Sequence, residues 1–129
     1  MKSEANTIES FKAKYPNLFK DDSPRSGFWV GDGWLPLVDR LCSLIEFDIQ
    51  NKIPEDIRGD FFVTQIKEKF GSLRVYLNKE TPFISGLIAM AEGMSSLICE
   101  TCGNTGKKRN NDYIQTLCDS CEKKRNKKK

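Results

Sequence analysis

Apolar positions fall in short blocks along this chain, and their spacing changes from helical to strand-like and back. Ile8, Phe11 and Tyr15 recur at helical intervals until Pro16 ends the pattern. Leu18 and Phe19 then form a pair able to tuck that helix against the rest of the chain. Residues 20–27 read as a loop, and Phe28, Trp29 and Val30 as a short strand closed by the Gly31-Asp32-Gly33 turn. From Leu35 to Gln50 the period is again helical: Leu37, Leu41, Leu44 and Ile45 share a stripe, with Val38, Cys42 and Ile49 beside it. Asp39, Arg40, Glu46 and Gln50 are expected on the other side. Asn51-Lys52-Ile53-Pro54 breaks this helix. Val63 and Ile66, then Val75, Tyr76 and Leu77, mark two strands over 61–68 and 72–77 with a tight turn at Phe70-Gly71-Ser72. Ile84, Leu87, Ile88, Ala91, Leu97 and Ile98 predict a second apolar helix over 83–98, with Thr81 as N-cap and Pro82 in the first turn. The order predicts an α+β fold, helices packed on a small antiparallel hairpin sheet, followed by a cysteine-rich finger.

At 129 residues and 38% hydrophobic composition, the chain has material for one modest core. We expect an α+β domain over 1–98, a finger over 99–122 and a basic, disordered tail over 123–129. No run of apolar residues is long enough to span a membrane. The polar opening MKSEANTIESFKAKYP lacks the apolar stretch of a secretory signal, so a cytoplasmic location with reduced thiols is expected. Charge is unevenly spread. Residues 1–98 hold 12 Lys/Arg against 14 Asp/Glu, net −2, and residues 99–129 hold 9 against 4, net +5. Four thiolates and a divalent ion would bring the second part to about +3, which moderates any claim on nucleic acid.

The cysteines change the picture most. Cys99, Cys102, Cys118 and Cys121 follow the spacing C-x2-C-x15-C-x2-C. Each close pair can present two sulfurs to one ion, and the intervening residues can form a hairpin that brings the second pair across from the first. Four thiolates suit Zn2+, and a site filled by four protein ligands is structural because no position is left for water. One structural zinc ion is therefore the expected cofactor. A helix after Cys121 would make the segment a treble clef, a fold related to zinc ribbons in its paired knuckles and seen in GATA-type DNA-binding fingers. The fifth cysteine, Cys42, lies on an apolar stripe and reads as a buried small hydrophobe.

A wider resemblance is carried by Gly31-Asp32-Gly33-Trp34, by Lys67-Glu68-Lys69-Phe70-Gly71-Ser72-Leu73-Arg74-Val75-Tyr76, and by Ala91-Glu92 with Ser95. It continues through Cys99-Glu100-Thr101-Cys102-Gly103 and Thr116-Leu117-Cys118-Asp119. With these motifs in this order, the chain resembles a group of small, largely uncharacterised proteins of tailed phages, prophages and bacteria. The last ligand of that group is often histidine, where this chain has Cys121. The resemblance implies a phage or mobile-element origin and supplies no reaction.

Catalysis finds little support in the residues. The chain has no histidine, which removes the commonest general base. Asp60 with Gln65-Ile66-Lys67 loosely mimics a metal-dependent nuclease motif, but it lies too close and lacks a second carboxylate. Three large aromatics in seven residues, Phe28, Trp29 and Trp34, read first as core; if exposed, Trp29 or Trp34 becomes an interface anchor, and with Lys67, Lys69 and Arg74 on the hairpin they are the candidate partner-binding residues. Lys107, Lys108, Arg109, Tyr113, Lys123, Lys124 and Arg125 are the candidates for contacting nucleic acid. The leading expectation is a non-enzymatic, zinc-stabilised accessory protein that binds a host protein and blocks a defence or regulatory system. The alternatives are nucleic-acid binding through the basic finger and sequestration of a small anionic signal. Oligomeric state is left open.

Overall fold

Along residues 73–76 buried Leu73 and Val75 alternate with the more accessible Arg74 and Tyr76, and this alternation orients the sheet on which the rest is built. The computed structural model of the chain describes residues 4–20, 23–24, 27–110 and 113–127. Strands β2 (Val63–Lys69) and β3 (Ser72–Leu77) run antiparallel, with Ile66 opposite Val75, Lys67 opposite Arg74 and Glu68 opposite Leu73. Ile66, Leu73 and Val75 are buried on one face, whereas Lys67 and Arg74 belong to the other. Their two-residue turn places Phe70 and Gly71 at φ of 52° and 78°. Two positive φ values match the right-handed twist of the paired strands, and glycine meets that need without strain.

Strand β1 (Phe28–Trp29) joins the far side of β2 in parallel, Phe28 beside Ile66 and Trp29 beside Lys67. The antiparallel hairpin is as expected, and the added parallel strand makes the sheet mixed. The outer edge of β3 is covered by helix α3 (Pro82–Ser95). There the Leu73 N–H donates to Ser95 Oγ at 2.9 Å and the Val75 N–H to Glu92 Oε2 at 3.2 Å. Two side chains thus take the hydrogen bonds that a fourth strand would have used. Thr81 caps α3 as expected, its hydroxyl accepting from the Ile84 N–H at 3.1 Å.

Helix α2 (Leu35–Lys52) buries Val38, Leu41, Cys42, Ile45 and Ile49 over the same sheet face. Helix α1 (Glu4–Lys14) closes one end, where Phe11 meets Phe28 edge-on at 5.2 Å and Phe19 at 5.6 Å between ring centroids. Glu46 departs from its expected solvent position. It is buried, and its carboxylate accepts from Asn17 Nδ2 at 2.6 Å, Gln50 Nε2 at 3.1 Å and the Leu18 N–H at 3.3 Å. The turn after α1 directs backbone and amide donors at one point, and a carboxylate from α2 accepts from them. Leu44 is 43% exposed although it shares the apolar stripe.

The C-terminal part comprises β4 (Lys107–Asn110), β5 (Ile114–Leu117) and α4 (Asp119–Lys127). The tail expected to be disordered over 123–129 is instead helical through Lys127, and residues 128–129 lie outside the described part. Acidic Asp119 and Glu122 in the first turn and basic Lys124, Arg125 and Lys127 in the last favour that helix through its dipole. No helix among the described residues is long and apolar enough to cross a membrane.

Replacing Ser95 by Ala leaves the buried Leu73 N–H without its acceptor. A loss of about 1–3 kcal/mol in unfolding free energy is expected, measured by urea denaturation. Ser120→Ala on the exposed surface of α4 should change stability by less than about 0.5 kcal/mol.

Candidate metal centre

Local backbone bonding forces Cys99–Cys102 into a knuckle. The Cys99 N–H donates to Asn104 O at 2.7 Å, and the Gly103 N–H returns to Cys99 O at 2.9 Å. The chain then passes into the β4–β5 hairpin, paired from Lys107 with Leu117 to Asn110 with Ile114. Cys118 follows β5 directly, and Cys121 lies in the first turn of α4. The second knuckle closes with the Cys121 N–H 3.4 Å from Cys118 Sγ and the Glu122 N–H donating to Cys118 O at 3.0 Å. Knuckle, hairpin, knuckle and helix make the segment a treble clef, as the sequence led us to expect.

The four sulfurs lie within 4.8 Å of one another, with Cys102 and Cys118 Sγ atoms 3.6 Å apart. A tetrahedral Zn2+ with bonds of about 2.3 Å sets its sulfurs ~3.8 Å apart, so the cluster has the dimensions to hold one such ion. All four are free thiols in the chain. Burial opposes ionisation of Cys99, but backbone hydrogen bonds from Cys118, Cys102 and Thr101 outweigh it and draw the thiol down to about 6. Cys121 is pushed up to about 12, by burial and then by its hydrogen bonds to the other three thiols. Cys42 belongs to the main core, where burial raises its thiol.

The knuckle is built into the body of the protein. Gly33 N–H donates to Glu100 O at 3.0 Å, and Trp34 Nε1 donates to Ile98 O at 2.8 Å. A Cβ at Gly33 would lie 2.1 Å from Cys99 O, and one at Gly31 would lie 2.1 Å from Glu100 O. Only glycine allows these two backbones to pack so closely. On the other side, Thr116 Oγ1 donates to Gly71 O at 2.6 Å, fixing β5 to the hairpin turn. Glu100 joins both contacts: its backbone N–H donates to Thr116 O at 2.9 Å and its Oε2 accepts from the Thr116 N–H at 2.9 Å. Burial raises the Glu100 carboxyl, an effect opposed by the Thr116 hydrogen bond. Glu100 and Thr116 stand within the motifs that carry the resemblance, but the sequence assigned neither a role. The available signal was a carboxylate inside a knuckle that otherwise holds small residues.

The other candidate residues divide sharply. Trp34 is fully buried, so its assignment as a partner contact is corrected to a core anchor under the knuckle. Trp29 is 61% exposed and stands in one row across the sheet with Lys67 and Arg74. Lys69, also exposed, lies two residues along the same strand face. Arg74 is partly engaged, 3.6 Å from Glu92. Arg109 faces inward: its guanidinium donates to Leu117 O at 3.0 and 3.1 Å and to Asp119 Oδ1 at 2.8 Å, tying the hairpin to the start of α4. Arg125 donates to Gln115 Oε1 at 2.6 Å and stacks 5.4 Å above the Tyr113 ring. Both arginines are therefore structural ties, a correction to their assignment as nucleic-acid contacts. Lys107, Lys108, Lys123, Lys124 and Tyr113 remain exposed. Asp60 pairs with Lys79 at 3.8 Å.

Metal analysis of protein purified without chelator should find one zinc per chain, and Cys102→Ser should lose it together with the β4–β5 fold. Gly33→Ala tests the embedding: it keeps all four thiols yet should weaken zinc binding by about 10- to 100-fold, read by chelator competition. Comparison with protein-family models, with curated proteins and with solved structures finds no match.

Proposed function

We propose that the chain is a non-catalytic binding protein, stabilised by one structural zinc ion, that serves a phage or mobile element in the bacterial cytoplasm. It attaches to a host protein and thereby blocks a defence or regulatory system. The phage origin rests on the motif resemblance. The binding reading rests chiefly on one observation, the exposed indole of Trp29 in a row with Lys67 and Arg74 on the uncovered sheet face.

Exposed tryptophan flanked by cations is the composition of an interface anchor, because the ring supplies apolar area and the cations set orientation. Lys67, Lys69 and Arg74 favour an acidic patch on the partner. The candidate metal site adds no reactive position when four thiolates fill it. The runner-up, nucleic-acid binding by the finger, keeps four exposed lysines and Tyr113 but loses both arginines to internal bonds.

The test is affinity capture from host lysate with the zinc-loaded chain, compared with Trp29→Ala. A stoichiometric protein should be recovered, with affinity falling by a factor of about 30 or more in the variant. Recovery of no stoichiometric protein counts against the reading. Salt-sensitive binding to DNA or RNA that survives Trp29→Ala and is lost on removing residues 122–129 would replace it with the finger.

A further inference from the structure

Helix α3 carries more apolar surface than the core uses. Ile84, Ile88, Ala91 and Ser95 are buried, and their opposite side remains accessible. There Phe83, Gly86, Leu87, Gly93 and Met94 surround Met90 at intervals of three, four or seven residues, so they share one face. Phe83 is 53% exposed, Met90 68% and Met94 43%. Helix α2 runs antiparallel beside it: Lys52 lies over the Phe83 ring at one end, and Trp34 reaches Ile98 at the other. It adds Leu44 and Phe47, the latter 64% exposed. Between the helices is a shallow groove of about 90 Å³, and Arg40 is the one charged residue lining it.

Two glycines point to the occupant. Glycine inside a helix is destabilising unless something must come close. A Cβ at Gly86 or Gly93 would meet nothing within 4 Å, so packing within the chain gives no reason for either. They form hollows one turn before and one turn after the protruding Met90. A two-fold axis crossing α3 at Met90 brings positions equally spaced before and after it face to face. Gly86 then receives Met94 of a second copy, Leu87 enters the hollow at Gly93, and Phe83 meets Leu97. Flanking the Met90 pair at the axis, Met94 and Leu87 each meet a hollow, which is the self-complementarity that an isologous interface requires.

The area agrees. Phe83, Met90, Met94, Leu97, Leu44 and Phe47 expose on the order of 700 Å² between them, taking roughly 200 Å² for a large side chain. Single-copy proteins rarely leave a continuous apolar patch of that size open, and a standard interface covers ~800 Å² per partner. We infer that the α2–α3 face is a homodimer interface, with α3 crossing its counterpart antiparallel about Met90. The core side of the sheet separates it from Trp29, so a dimer presents two free Trp29 surfaces.

Sedimentation of the full, zinc-loaded chain from low to high micromolar concentration should show a species of twice the 14.7 kDa chain mass. Met90→Glu should return it to one chain mass. Gly93→Gln, which has open space within the chain, should weaken association at least tenfold while keeping helix content and zinc. Trp29→Ala should remain dimeric. A wild-type chain that stays monomeric at the highest concentration overturns the inference, whether or not it binds phosphatidylcholine vesicles. A dimer whose mass is unchanged by both Met90→Glu and Gly93→Gln overturns it as well.

Discussion

Between the Gly31–Gly33 turn and the first cysteine knuckle there is no room for a side-chain carbon, and both parts of the molecule are arranged around that contact. The turn donates its Gly33 N–H to Glu100, and the adjacent Trp34 fills the core below while holding Ile98. Glu100 then reaches Thr116, which is itself bonded to the hairpin turn at Gly71. Three sequence motifs far apart along the chain are thus one physical unit. An ion held by the knuckle would therefore be coupled to the main core through backbone, where little adjustment is possible.

Much of this was legible from residue patterns. The helices at Leu35–Lys52 and Pro82–Ser95, the hairpin and the four cysteines follow from periodicity, turn residues and spacing, all of which are local. What escaped was long-range. The pair Phe28-Trp29 gives no sign in sequence that it adds in parallel to a strand nearly forty residues later. Glu46 looks like a surface carboxylate until the turn after α1 brings donors to it. Trp29 and Trp34 are chemically alike, yet sheet register turns the first ring outward while the turn over Asp32–Trp34 buries the second beneath the knuckle. Arg109 and Arg125 look like part of a basic patch, yet short strands and a short helix need their guanidinium groups as internal ties.

Those ties alter the electrostatics of the finger. A segment with a net charge of +5 in sequence uses two of its cations against carbonyl, amide and carboxylate partners, and four thiolates around a divalent ion would reduce the remainder further. What remains accessible is a group of lysines on the hairpin and helix. The sheet face differs in kind, because its cations stand beside an aromatic ring. It therefore offers dispersion and charge together, where the finger offers mainly charge.

The side chains of Ser95 and Glu92, which complete the outer edge of β3, also limit how this protein can be recognised. Strand addition needs a row of open N–H and C=O groups. One edge of this sheet has its donors at Leu73 and Val75 taken, and the other ends in a strand of only two residues. Backbone-directed pairing, indifferent to side-chain identity, is thereby discouraged at both edges, and with it a common route to fibre formation. Recognition of the sheet must pass through the identity of its outward side chains. Substitutions there can retune which partner is bound without disturbing the register of the strands beneath.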